Sequence, residues 1–298
     1  MTTALALGPR TPARLARDVL GLFKLRIGVM IMLTALVGFA FTPGPALSPA
    51  QVLVLALSVM VASASAGAFN QYVEAESDRL MARTRKRAFV TGALPHTPVW
   101  LVVIGALLAV SVAAAWWALN AWAALYVFLG AFFYAVVYTV WLKRRSWLNI
   151  VVGGLAGSFA VLAGAAAVDP AIGALPLLLA LVLFLWTPPH FWSLAIANQD
   201  DYAAAGVPML PVVVGTQRAA QVVFWSTVAL VSASLLPVLF GAGAWYFAAA
   251  AIGGAVFLTK SWRLARRPNR KTAMASFFAS LFQLSLVLAG ATLDGVLR

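Results

Sequence analysis

Blocks of about 20 apolar residues recur along this chain, each long enough to cross a bilayer as a helix. Nine are predicted, at roughly 22–42, 50–75, 98–118, 121–141, 147–168, 173–197, 218–240, 243–262 and 273–293. The gaps between them carry turn chemistry: TPGPALSP at 42–49, VDP at 168–170, and Gly241 with Gly243. Short gaps after the first, third, fifth and seventh blocks make antiparallel hairpins. No segment reads as a second, soluble domain. The pattern predicts an all-α polytopic membrane bundle of about nine transmembrane helices around a central cavity. Residues 22–298 would form its one domain, behind a cytoplasmic N-terminal segment, 1–21. The Arg-rich flank and the length of the first block read as retention, not as a cleavable signal.

Composition agrees. Of 298 residues, 63% are hydrophobic and 10% charged, and mean hydropathy is +0.94. A soluble domain carries roughly a quarter charged residues. Cysteine is absent, which removes disulfides, a thiol nucleophile and thiolate metal ligands.

Charge predicts orientation. Of the 21 Lys and Arg, 20 fall before the first block, in the loops after the even-numbered blocks, or in the block ends that border these, and the remaining one is Arg298. The positive-inside rule then puts the N-terminus in the cytoplasm and the C-terminus on the far side of the cell membrane. Topology and attraction to anionic membrane lipid account for most of the net +13. Nucleic-acid binding is not expected, because the cations are spread over membrane loops without a recognition motif.

The acids are few and grouped. Apart from Asp18, Asp169 and Asp294, they form two clusters: Glu74, Glu76 and Asp78, then Asp200 and Asp201. Both lie at the ends of apolar blocks on the expected cytoplasmic side. Acids at the mouth of a membrane helix are functional candidates by default. Asn70, Glu74 and Asp78 are spaced four apart and share one helix face. An amide and two carboxylates supply hard oxygen ligands, which suits Mg²⁺. Arg79, Arg83, Arg85, Lys86 and Arg87 follow. A metal held by carboxylates, with Arg nearby, can clamp a diphosphate. The competing reading is a salt-bridged, solvated helix end.

The second cluster lies in WTPPHFWSLAIANQDDYAAAGVPMLPVVVG, residues 186–215. Pro188 and Pro189 are expected to break or kink the sixth helix just before His190, a feature tolerated at membrane depth where it lines a cavity. Asp200 and Asp201 would end that helix, and Gly206, Pro208 and Pro211 would structure the loop after it. The two acid clusters take equivalent places in two helix pairs, which suggests half-sites facing one another. Alone, His190 would read as a packed histidine, and His96 is read that way. Lys143, Arg144 and Arg145 end the fourth helix; topology explains them, and they would add cations to the same mouth.

These motifs resemble the UbiA-type intramembrane prenyltransferases, and within them the heme-farnesylating branch. The first family motif, N-x-x-x-D-x-x-x-D followed by R-T-x-x-R-P, is matched by Asn70, Glu74, Asp78, Arg83, Thr84 and Arg87, with Glu74 in place of Asp and Ala88 in place of Pro. In the second, D-x-x-x-D, the first position is Ala197 and only Asp201 matches. The heme branch has W-x-x-P-H-F and D-Y-x-x-A-G-x-P-M-L-P there, and this chain carries both, from Trp186 to Pro211. Ala160 and Val161 stand where the branch often has two prolines. The resemblance spans roughly 22–290.

The resemblance implies farnesyl transfer from farnesyl diphosphate to a vinyl group of heme B, with Mg²⁺ as cofactor and heme O as product. It implies metal and diphosphate roles for Asn70, Glu74, Asp78 and Asp201, with Asp200 added to the metal set. Arg83, Arg87 and Lys143 would contact diphosphate and His190 the heme. An enzyme that consumes heme O would be the partner. Two alternatives stand beside this. Prenylation of a quinone precursor is disfavoured by the His190 block and by Ala197. A cation-coupled transporter is disfavoured because its acids would lie near the midplane.

Overall fold

The computed structural model describes residues 11–82 and 84–297. All regular structure in it is helical. An amphipathic helix α1 (Pro12–Leu22) leads into α2 (Leu25–Phe41) across a 44° bend. The bend is made at Lys24, whose φ of +48° places a non-glycine residue in the left-handed region. The first apolar block is therefore entered through a broken helix, and α1 occupies much of the stretch expected as a bare N-terminal segment.

Helix α3 (Pro49–Val73) starts where the turn at 42–49 ends. Ser48 and Gln51 cap each other's backbone N–H groups there, and Pro49 fills the first helical position, where no N–H is needed. Short α4 (Ala75–Asp78) and α5 (Ala88–Thr91) follow, then α6 (Val99–Ala118). Helix α7 (Ala121–Phe132) is capped by Asn120 and continues as a π-helix over Phe133–Leu142. Next come α8 (Asn149–Gly153), α9 (Leu155–Val168), α10 (Ala174–Ala197), α11 (Gln199–Ala204) and α12 (Leu210–Val214). Helices α13 (Thr216–Leu235), α14 (Ala244–Arg266) and α15 (Arg270–Leu297) complete the chain.

Each of the nine apolar blocks is matched by a long helix. Seven spans are long and apolar enough to cross a membrane alone, and the bent α1–α2 pair makes an eighth. The remaining helix, α14, is 23 residues long and takes Lys260, Arg263 and Arg266 into its last turns. The protein is an all-α, multi-pass membrane bundle.

The core has two main parts. One joins α2, α3, α7 and α9 through Ala35, Leu55, Val59, Ala66, Val127 and Ala163. The other joins α10, α13, α14 and α15 through Leu179, Leu230, Tyr246, Phe257 and Val287, with Phe41 of α2 and Val161 of α9 reaching into it. Helix α2 bridges the two halves at glycine. A β-carbon on Gly38 would fall on the Val161 carbonyl, one on Gly164 on the Ala35 carbonyl, and one on Gly295 on the Ala40 carbonyl. Small residues that admit this backbone approach are the usual adhesive between membrane helices.

The prolines at 188 and 189 do not break the sixth span. Helix α10 runs through them without interruption. The Thr187 hydroxyl donates to the Leu183 carbonyl (3.0 Å), and Ser193 Oγ donates to Pro189 O (2.7 Å). Neither is a carbonyl that the prolines leave without its helical donor, those of Phe184 and Leu185, so packing against neighbouring helices is what keeps the helix intact through the pair.

Candidate active site

A cavity of about 490 Å³ opens between α2, α3, α7, α9 and α10. Its lining is of three kinds. Lys24, Asn70, Glu74, Arg87 and Lys143 are charged or polar, Trp186, His190, Phe191 and Tyr202 form an aromatic group, and Ile31, Val59, Ala62, Ala160 and Ala163 are apolar.

The polar group is built on the last turn of α3. The helix yields at Glu74, yet the Glu74 N–H still reaches the Asn70 carbonyl (3.0 Å) and the Asp78 N–H the Glu74 carbonyl (2.8 Å). Four-residue spacing therefore survives the joint between α3 and α4, and all three side chains are buried, Asn70 and Glu74 lining the cavity and Asp78 lying behind its lining. Asn70 and Glu74 are each 3% exposed and Asp78 is 1% exposed. Glu76, off that face, is exposed and pairs with Arg79 at 3.7 Å.

Glu74 and Asp78 each have a cation. Lys143 donates to Glu74 Oε1 and Arg87 to Asp78 Oδ2. Asn70 Nδ2 donates to Glu74 Oε2 (2.8 Å) and to Thr139 Oγ1 (3.1 Å). Lys24 Nζ donates to Asn70 Oδ1 (2.7 Å) and to the Tyr134 hydroxyl (3.3 Å). Thr84 Oγ1 donates to the Asp78 carbonyl (3.0 Å), so the R-T-x-x-R stretch ties the acid both through its backbone and through Arg87. Burial pulls the Lys143 ammonium below its usual range, and the adjacent Glu74 carboxylate opposes that shift.

Lys143 reaches Glu74 from the end of a π-helix. With about 4.4 residues per turn, that segment puts Tyr134, Tyr138, Thr139 and Lys143 on one side. Tyr134 and Tyr138 stack at 5.8 Å, and the two ammonium groups lie 5.9 and 5.8 Å from their ring centres. Lys24 and Tyr134 belong to no motif, and Tyr138 and Thr139 open the YTVWLKRRSWLN segment without a role that the sequence assigns. A lysine at the start of an apolar block reads as a topology signal, and an α-helical period gives no hint of π geometry.

Asp200 and Asp201 sit elsewhere. Helix α10 ends at Ala197, and Asn198 opens α11, so the pair occupies the first turn of a new short helix. Asp200 is exposed, Asp201 is half-buried, and neither lines the cavity; the adjacent Tyr202 does. The loops bearing the two acid clusters nonetheless meet. Met81 from the first packs in one apolar cluster with Tyr202, Val207, Met209 and Leu210 from the second. Arg83 lies outside the described residues.

Among the aromatic lining residues, His190 is 6% exposed. Trp186 stacks on it at 4.1 Å, which gives the W-x-x-P-H spacing a physical reason: residues four apart share a helix face. His96 is exposed and stacks on Tyr72 at 4.1 Å, its Nε2–H donating to the Tyr72 carbonyl (2.8 Å), a packing role away from the cavity.

Among the described residues no three acids or histidines converge as a ready-made metal cage. The donor set still fits a hard cation. Asn70, Glu74 and Asp78 offer only oxygen toward one, and Asp78 Oδ1 is buried without a hydrogen-bond partner.

The UbiA prenyltransferase family model matches residues 31–287. Among curated proteins, the chain is 56% identical over 275 residues to protoheme IX farnesyltransferase 2 of Paramagnetospirillum magneticum, covering 92% of this chain and 96% of the relative. It is 48% identical over 280 residues to protoheme IX farnesyltransferase 1 of the same organism, covering 93% and 98%. The fold is shared with a solved UbiA homolog from Archaeoglobus fulgidus bound to DMAPP and Mg²⁺, at TM-score 0.70 and 17% identity over 91% of this chain and 99% of that one. The chain belongs to the UbiA prenyltransferase family, on the branch of the protoheme IX farnesyltransferases.

Proposed function

We propose that this protein transfers the farnesyl group of farnesyl diphosphate to a vinyl group of heme B, giving heme O. The observation that carries this reading is one cavity lined both by a cation and carboxylate cluster and by His190 between aromatic rings. The 56% identity to a protoheme IX farnesyltransferase supports the choice of acceptor.

Lys143, Arg87 and Lys24 stabilise negative charge as the allylic C–O bond breaks and diphosphate leaves. Asn70, Glu74 and Asp78 would hold Mg²⁺, which would supply positive charge against the diphosphate oxygens; Asp200 and Asp201 would join them only if the loop carrying α11 turned inward. The C15 chain lies along Ile31, Val59, Ala62 and Ala163, where little water reaches a developing carbocation. The vinyl group bonds to the farnesyl C1, water adds to the resulting cation beside the ring, and a proton is lost. That completes the hydroxyethylfarnesyl side chain. Arg83 belongs to the diphosphate set by motif.

The lysine and arginine distribution supports a cytoplasmic N-terminus, a cytoplasmic active-site mouth and an extracytoplasmic C-terminus. Residues 22–298 act as one transmembrane unit behind the segment 1–21, and an enzyme consuming heme O is the natural recipient of the product. A reporter fused after Arg298 should read the extracytoplasmic side; a cytoplasmic signal overturns the orientation.

The test is direct. Purified protein with farnesyl diphosphate, Mg²⁺ and heme B should give a product with the mass of heme O. A prenylated hydroxybenzoate in a parallel reaction, with heme B unchanged, would refute the heme reading.

A further inference from the structure

The His190 ring is held by aromatic contacts on both faces and by Phe191 set edgewise at 4.9 Å and 83°, with one ring nitrogen hydrogen-bonded and the other not. Trp186 stacks on His190 at 4.1 Å and 20°, and Phe277 of α15 stacks at 4.6 Å and 27°. Two rings at these distances cannot share one face, so His190 is sandwiched. Its Nδ1 lies 2.7 Å from Ser280 Oγ, also on α15. Ser280 is fully buried and has one hydroxyl proton, which it donates to the Phe277 carbonyl at 2.6 Å. The serine oxygen must therefore accept from the ring, and the Nδ1 atom of His190 carries the proton. A neutral imidazole has one N–H, so Nε2 presents a bare lone pair. Nε2 has no hydrogen-bond partner among the described residues, and His190 lines the cavity. The Trp186 indole N–H donates to the Ser280 carbonyl (2.8 Å), so the stacking ring is tied to the same residue.

We propose that Ser280 is a positioning residue for the heme-type substrate. It holds His190 in the Nδ1–H tautomer, so that the Nε2 lone pair meets the substrate's iron, while Trp186 and Phe277 fix the plane of the imidazole. The inference rests on the heme reading above and adds a residue that no sequence motif marks. A hydrogen bond accepted from the far nitrogen of a metal-bound histidine sets its tautomer and raises its basicity. An axial bond in a fixed ring plane would set where the vinyl edge of the macrocycle lies relative to the diphosphate site.

Ser280→Ala, Ser280→Thr and His190→Ala would be purified and titrated with ferrous heme B, metal-free protoporphyrin IX and farnesyl diphosphate. The iron–histidine stretch would be read by resonance Raman. Ser280→Ala should lower heme affinity by about 10–100-fold and move that band to lower frequency. Its affinities for protoporphyrin IX and farnesyl diphosphate should stay unchanged, which also reports an intact fold. Ser280→Thr, which keeps the hydroxyl, should restore the band. An unshifted band and unchanged heme affinity in Ser280→Ala, with the band lost in His190→Ala, would overturn the role of Ser280 alone. Equal weakening toward heme and protoporphyrin IX would reduce Ser280 to packing. An unchanged heme spectrum in His190→Ala would remove the heme contact itself.

Discussion

The two acid clusters look alike in sequence and differ in structure. Asn70, Glu74 and Asp78 are buried, aimed into the bundle and held by Lys24, Lys143 and Arg87. Asp200 and Asp201 stand on the first turn of a short helix, more exposed and away from the cavity. Burial of ionised groups is costly unless each is paired and hydrogen-bonded, and the first cluster meets that condition at nearly every oxygen. The exception, Asp78 Oδ1, is where a cation has most to offer. Proximity to an apolar block marks a candidate; what separates a built site from a surface pair is whether other helices deliver the counter-charges.

The largest test withdraws divalent metal. EDTA should abolish turnover and Mg²⁺ should restore it, measured as heme O formed. Full turnover in metal-free buffer would mean that the carboxylates serve only as partners for lysine and arginine.

Within the first cluster, Asp78→Asn should lower turnover on the order of 10²–10³ with the protein still inserted and folded. The control is Glu76→Gln, one helix face away. It should leave the rate unchanged and shift stability by no more than about 0.5 kcal/mol, as for other surface changes. Equal rate losses in the two variants would erase the distinction between the buried and exposed faces.

Across the clusters, Asp201→Asn should cost less than Asp78→Asn, about 10-fold, in the range of groups that act on a metal through others. A loss as large as that of Asp78→Asn would show that α11 swings in and that the two clusters work as equals during turnover.

Much of this was legible in the chain. The nine blocks became helices because length and apolarity leave a bilayer segment no other way to satisfy its backbone. The Asn70–Glu74–Asp78 face survived because four-residue hydrogen bonds continue through the joint at Glu74. Other features depend on partners far away in sequence. Lys24 reads as an orientation signal until its 2.7 Å contact with Asn70 is seen. The Pro188–Pro189 pair reads as a break until the packing of α10 against its neighbours is counted. Ser280 is one of several serines in an apolar helix, and only the fold sets it against a ring 90 positions away.

The glycine contacts along α2 have a consequence for tolerance and register. Helices meeting through ordinary side chains can slide by a small amount and repack. Where a carbonyl of one rests in the vacancy left by a missing methyl on another, sliding by one residue means a 1.5 Å shift and a 100° turn, which puts a β-carbon into that vacancy. Gly38, Gly164 and Gly295 thus act as index marks that lock α2 at one depth in the bundle. The ammonium of Lys24, at the head of that helix, inherits the same fixed depth, and its reach to Asn70 is gauged from the opposite end of the span.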